Sequence, residues 1–237
     1  MPIEKIIKKR LFFTLIISAV ILGLGYFGHL YLNKKNISTS QEKWADLNGN
    51  SIDESYILTA GRLTITESQK TIWQSPSDWQ IDSFFLADAN NDGLLDLNLS
   101  LWKPGSFGTS KPFWLKENDP SVKNHFFIYN LSGDKLKMVW GSSNLSAPNC
   151  EFLIQDINGD SQNELVVIEG EYLTGTACQG RYVALWRWNG WGFSNDWRSV
   201  EGDYSNLRMS EKDTELFLSV DCGNEVLFFP DLSKKEN

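Results

Sequence analysis

The chain has 237 residues, enough for one membrane segment and one domain of about 200 residues with a substantial core. Aromatic residues make up 13% of it, including ten Trp, which argues against a disordered chain and for packed β-structure. The net charge is −8; residues 1–40 carry +5 (Lys5, Lys8, Lys9, Arg10, Lys34 and Lys35 against Glu4), so residues 41–237 carry −13 and would repel nucleic acid.

The first element in chain order is apolar. Leu11 to Leu32 holds 22 residues without a charge, and about 20 helical residues cross a bilayer core. Lys8, Lys9 and Arg10 directly precede it, which keeps residues 1–10 cytoplasmic and makes 11–32 a single-pass signal anchor. A cleaved signal peptide is the competing reading; it would have a shorter apolar core and a small-residue exit where this chain has Tyr26-Phe27-Gly28. Residues 33–40 are polar and suit a linker to an extracytoplasmic domain at 41–232, with a short tail at 233–237.

Within the domain one segment is written three times. Oxygen-bearing side chains stand at positions 1, 3, 5 and 9 of each copy: Asp46, Asn48, Asn50 and Glu54; Asp88, Asn90, Asp92 and Asp96; Asp156, Asn158, Asp160 and Glu164. A strand-like run follows each copy (Tyr56 to Leu58, Leu97 to Leu99, Leu165 to Ile168), and Phe84 to Leu86 and Phe152 to Ile154 precede the second and third. Alternate carboxylates and amides in a tight loop converge on one point, where hard oxygen ligands suit Ca²⁺. The competing reading is a set of Asx-rich hairpin turns that need no metal. With Asn at both positions 3 and 5, the first loop keeps two carboxylates, Asp46 and Glu54, and is expected to be the weakest site.

The period extends past the loops. Trp73-Gln74-Ser75 lies 15 residues before Asp88, Trp140-Gly141-Ser142 lies 16 before Asp156, and Trp197-Arg198-Ser199 lies 16 before Asp213, where the loop is cut short. A hairpin fills the space between each loop strand and each Trp-x-Ser corner; the third turns at Asn189-Gly190, a strong hairpin dipeptide. Four short strands per unit are the blade of a β-propeller. The expected fold is all-β, a small or incomplete propeller of three to four blades at about 41–78, 79–143, 144–199 and 200–232, the last with three strands.

These loops between two blade strands resemble the FG-GAP/VCBS repeats of integrin-alpha-like propellers, over about residues 41–220. The resemblance implies structural calcium in the loops and a cell-surface role in adhesion, polysaccharide contact or assembly. This chain has fewer blades than integrin-type propellers and lacks the FG…GAP strand words.

Catalysis finds no motif: of two His, His29 lies in the apolar run and His125 opens a strand, and no G-x-S-x-G, HExxH, P-loop or dinucleotide fingerprint occurs. The expected work is binding, to an envelope polysaccharide or protein; the alternatives are a structural subunit whose incomplete last blade a partner completes, and an enzyme with an unrecognised carboxylate pair. The long stretch from Trp102 to His125 offers Phe107, Phe113 and Trp114 beside lysines, suited to sugar stacking or a protein hot spot, or else folded back as a cap. A shorter loop, Glu171 to Gly180, occupies the equivalent place in the third unit. Three Cys leave at least one unpaired; Cys150 and Cys178 could bridge, or all three could be small buried hydrophobes. A sequon at Asn98 falls inside an expected strand and is read as chance.

Overall fold

Alternating apolar residues and short turns give fifteen strands in a computed structural model that describes residues 40–105, 116–117, 119–212 and 215–229. In chain order they are β1 (Gln41–Ala45), β2 (Glu54–Thr59), β3 (Arg62–Glu67), β4 (Lys70–Gln74), β5 (Gln80–Ala87), β6 (Asp96–Pro104), β7 (Val122–Ser132) and β8 (Lys135–Gly141). β9 (Asn149–Gln155), β10 (Glu164–Tyr172), β11 (Cys178–Trp188), β12 (Phe193–Arg198), β13 (Tyr204–Lys212), β14 (Glu215–Cys222) and β15 (Glu225–Phe229) follow. The expected anchor at 11–32 lies outside the described residues, and no helix among those described is long and apolar enough to cross a membrane.

The strands form antiparallel meanders. β1 to β4 make one four-stranded sheet and β5 to β8 a second. β9 to β12 make a third meander and β13 to β15 a three-stranded fourth. These last two share one sheet through a single residue pair, Gly180 with Tyr204. A Cβ on Gly180 would sit 2.1 Å from the Tyr204 carbonyl oxygen, so this approach requires glycine. The sheets do not close into a ring.

Side-chain alternation decides what each sheet packs against. Tyr56, Leu58, Leu63 and Ile65 of the first meander meet Phe84, Leu97, Leu99, Leu101 and Phe127 of the second. The opposite face of the second, through Phe126 and Ile128, meets Phe152, Leu165, Val167 and Ala184 of the third. The remaining face of the third, Val166, Ile168, Val183 and Leu185, covers Tyr204, Leu218 and Val220. β6 and β10 are thus buried on both faces, which is why Leu165 to Ile168 reads as an unbroken apolar run.

The Trp-x-Ser corners close the outer strands. In each, the Ser N–H donates to a third-strand carbonyl and its Oγ accepts the N–H of that same residue: Ser75 with Leu63 (2.9 and 3.2 Å), Ser142 with Phe126 (3.0 and 2.9 Å), and Ser199 with Val183 (2.8 and 2.9 Å). Between the second and third meanders a buried polar chain runs from Asn124 Nδ2 to Ser100 Oγ and on to the Asn149 carbonyl, while Asn149 N–H returns to Asn124 Oδ1. Asn98 is buried, its amide donating to the carbonyls of Phe85, Ala87 and Asp96, so its sequon has no accessible acceptor. Cys150 and Cys178 are joined in a disulfide, and Cys222 is unpaired.

Ser75 is buried, so Ser75→Ala strands the Leu63 N–H and should cost about 1–3 kcal/mol in urea unfolding. An unchanged midpoint would show the corner to be incidental. His125 does not open its strand; it lies within β7, fully buried, its Nδ1 3.3 Å from the accepting Ser142 carbonyl. Burial, with a smaller push from the Lys103 ammonium, lowers its imidazole to about 4. The unfolded chain therefore binds the extra proton between about pH 6.5 and 4, and stability present above that window is lost as pH falls through it. Between pH 7 and 5 this amounts to about 2 kcal/mol, and His125→Gln should flatten the acid limb measured by urea titration. An unflattened limb in the variant would assign the acid sensitivity elsewhere.

Candidate functional site

The three acidic segments connect β1 to β2, β5 to β6 and β9 to β10, and they adopt one conformation. Positions 4 and 6 of each turn have positive φ: Gly49 and Ser51, Asn91 and Gly93, Gly159 and Ser161. That turn points successive N–H groups inward, and the side chains take them. The first Asp accepts the N–H of position 6 on its Oδ2: Ser51 to Asp46 at 2.7 Å, Gly93 to Asp88 at 2.7 Å, Ser161 to Asp156 at 2.9 Å. Position 3 accepts from position 5 (Asn48 at 3.0 Å, Asn90 at 3.3 Å, Asn158 at 2.8 Å), and position 5 from position 7 (Asn50 at 2.8 Å, Asp92 at 2.9 Å, Asp160 at 2.8 Å).

The ninth position differs in kind from the rest. Glu54, Asp96 and Glu164 are each 0% exposed at the root of the second strand. One oxygen of each accepts the N–H of position 2: Leu47 at 2.9 Å, Ala89 at 3.2 Å, Ile157 at 3.0 Å. Burial raises all three carboxyls, Asp96 to about 7 with Asp92 and Asp88 adding to the effect. The second oxygens have different fates. Glu54 Oε1 and Asp96 Oδ1 are buried without a hydrogen-bond partner. Glu164 Oε1 takes the Asn158 amide at 3.0 Å and lies 3.6 Å from the Arg187 guanidinium.

The twelve residues fall in three turns between paired strands, and further side chains that the 1-3-5-9 spacing does not mark support them. Glu67 holds the amides of both Asn48 and Asn50, each at 2.8 Å. Asn91 and Asn163 clasp the second loop to the third: Asn91 Nδ2 donates to the Asn163 carbonyl at 3.1 Å, and Asn163 N–H returns to Asn91 Oδ1 at 2.7 Å. A signal was present, since Asn91 stands where the other two loops have Gly. Arg187 left none, because it reaches Glu164 only through the pairing of β10 with β11.

Among the described residues no three His, Cys, Asp or Glu side chains form a ready metal group, so amide and backbone oxygens would have to contribute. The second loop fits best, combining three carboxylates in Asp88, Asp92 and Asp96 with an orphaned buried oxygen. The first has the orphan but two carboxylates. The third has three carboxylates, with Arg187 already against the innermost.

At the opposite end of the sheets, β6 runs to Pro104 and β7 starts at Val122, so the long connection spans 105–121, shorter than the sequence suggested. Phe107, Phe113 and Trp114 lie outside the described residues. Trp102 is buried, donating from Nε1 to Asp82 and meeting the Tyr172 ring edge-on at 5.5 Å. Lys123 Nζ, near the start of β7, lies 4.1 Å from the same Tyr172 ring, so the bases of the two long connections adjoin, and Tyr172 OH donates to the Leu145 carbonyl at 2.6 Å. No family model, curated protein or solved structure matches this chain.

In chelator at neutral pH, Asp96→Asn should unfold at the same urea concentration as the parent or a higher one, because it discharges a buried carboxylate and keeps the Ala89 acceptor. Glu164→Gln leaves Arg187 without that partner and should be the more damaging of the two. The reverse order would overturn the distinction between the loops.

Proposed function

We propose that the chain is a membrane-anchored, extracytoplasmic binding module whose acidic loops hold structural calcium. The observation that carries the calcium reading is the orphaned, buried Asp96 Oδ1 inside a loop of two further carboxylates. Asp88, Asn90, Asp92 and Asp96 would hold the ion, with the parallel sets of the other loops behind them. Bound there, calcium supplies the positive charge that the buried carboxylate lacks. The protein's own part is to fold each turn so that its side-chain oxygens and its N–H groups already face one another.

Four meanders of four, four, four and three strands, each of the first three opened by the same turn, support an incomplete propeller of the FG-GAP/VCBS kind. The uncharged run at 11–32 behind Lys8, Lys9 and Arg10 supports the anchor, and the Cys150–Cys178 disulfide suits an oxidising compartment outside the cytoplasm. The partner in this reading is an envelope polysaccharide or protein. Nucleic acid is disfavoured by the −13 of residues 41–237, and no catalytic role is assigned. One observation favours the second reading, a structural subunit: among the described residues β15 forms the outer edge of a three-stranded meander, where a partner strand could pair.

Calcium at one-hundredfold excess over Kd should stabilise the protein by about 2.7 kcal/mol per occupied site. Asp88→Ala should lower the thermal midpoint in calcium and much less in EDTA. Identical melting curves with and without EDTA would sink the metal assignment. For the anchor, protein recovered from the host membrane should retain Lys5; a mature N-terminus near residue 30 would make the apolar run a signal peptide.

A further inference from the structure

Outside the acidic loops, a cleft of about 350 Å³ opens between the second and third meanders. Its size falls in the range of small-ligand sites, roughly 300–1,000 Å³. Trp140, Trp186 and Phe193 line it, half-buried, above a floor that includes the buried Phe126. The rings are braced edge to face, Trp140 against Phe193 at 5.4 Å and 82°, and Phe126 against Phe193 at 6.0 Å and 72°. Such contacts hold the walls in place without stacking the rings on one another.

Beside Ser146 and Asn149, a linked group of polar side chains enters this aromatic lining. Glu169 is buried; its Oε2 is 2.5 Å from Arg198 Nη2, and its Oε1 accepts from Trp186 Nε1 at 3.2 Å. Arg198 is fixed from its other side by the Tyr182 ring, 4.1 Å away. Asn195 joins them at the cleft, its Nδ2 donating to the carbonyls of Leu185 and Trp197. A core shaped only for stability would fill such a space, and well-packed apolar residues would serve it as well as an ion pair.

We infer that this cleft binds a neutral sugar ring of a glycan chain, between the indoles of Trp140 and Trp186 and the Glu169–Arg198 pair. The chemistry selects that class. Arg198 already neutralises Glu169, so a cationic ligand gains no free carboxylate, and an anionic one meets Glu169 itself. A sugar presents both faces needed: C–H groups for the rings, and hydroxyls that donate to the free lone pairs of Glu169 while accepting from the remaining N–H groups of Arg198. The side chains are held before a ligand arrives, which lowers the entropic cost of binding. The inference deepens, and rests on, the reading of the chain as a binding module.

The test titrates the full-length chain, in a detergent without a sugar headgroup, against neutral gluco-, manno- and chito-oligosaccharides, following heat and Trp fluorescence. Oligogalacturonate and tetramethylammonium are the charged controls. At least one neutral oligosaccharide should bind at millimolar concentration or below, with neither control competing. Trp140→Ala should weaken that binding on the order of tenfold. The paired substitution Glu169→Gln with Arg198→Gln, which conserves volume and removes both charges together, should do the same with the thermal midpoint held, and it decides the matter if Trp140→Ala does not fold. Binding that survives the paired substitution would overturn the cleft while leaving the binding-module reading intact. No binding of any neutral oligosaccharide, or a preference for either control, would overturn it too; capture of an envelope protein by the same chain would then show that the broader reading stands without it.

Discussion

A buried carboxylate at the root of the second strand is the constraint on which the first three meanders depend. Glu54, Asp96 and Glu164 each leave water entirely, and each takes back one backbone N–H from the start of its own turn. That bond ties the turn to the strand that follows, so the loop cannot open without exposing the strand root. The arrangement carries its own cost, since burial, with the neighbouring loop acids adding to it, drives each carboxylate toward its protonated form. In the third loop a guanidinium offsets this cost. In the first two, one oxygen stays unmatched, and the proposed calcium answers it.

The strand roots matter because of what they anchor. β2, β6 and β10 begin at these three carboxylates, and β6 and β10 are covered on both faces. Leu97, Leu99 and Leu101 face the first meander while Asn98, Ser100 and Trp102 alternate with them, and Ser100 bonds the Asn149 carbonyl across the gap to the third. A shift of one residue in β6 would send its leucines and its polar groups to the wrong neighbours. The second and third loops are also clasped directly by Asn91 and Asn163. Fixing one loop therefore helps to fix the next.

Much of this was legible in the chain, because its signals are local. The 1-3-5-9 spacing marked all three turns, since a nine-residue loop brings its own side chains together. The Trp-x-Ser words marked the outer-strand corners, although the serine's paired bonds to Leu63, Phe126 and Val183 emerged only with the sheets. What stayed hidden is long-range. Arg187 meets Glu164 through strand register, Glu67 reaches Asn48 and Asn50 from the far end of a hairpin, and the cleft needs side chains from β7, β8, β10, β11 and β12. Cysteine spacing left Cys150 and Cys178 open as partners; their bond crosses β10 over Gly170, where an added Cβ would fall 2.2 Å from the Cys150 Sγ and 2.9 Å from the Cys178 Sγ. The single-pair junction at Gly180, which merges two expected blades into one sheet, had no sequence signal beyond a glycine.

The proposed calcium rests on the unmatched oxygen of Asp96. Anomalous scattering from crystals grown in calcium tests this most directly. The account predicts a calcium peak in the second loop, beside Asp96 Oδ1 and within the ring of Asp88, Asn90 and Asp92, that disappears in Asp96→Asn crystals. A fully ordered second loop with no peak at saturating calcium would contradict it.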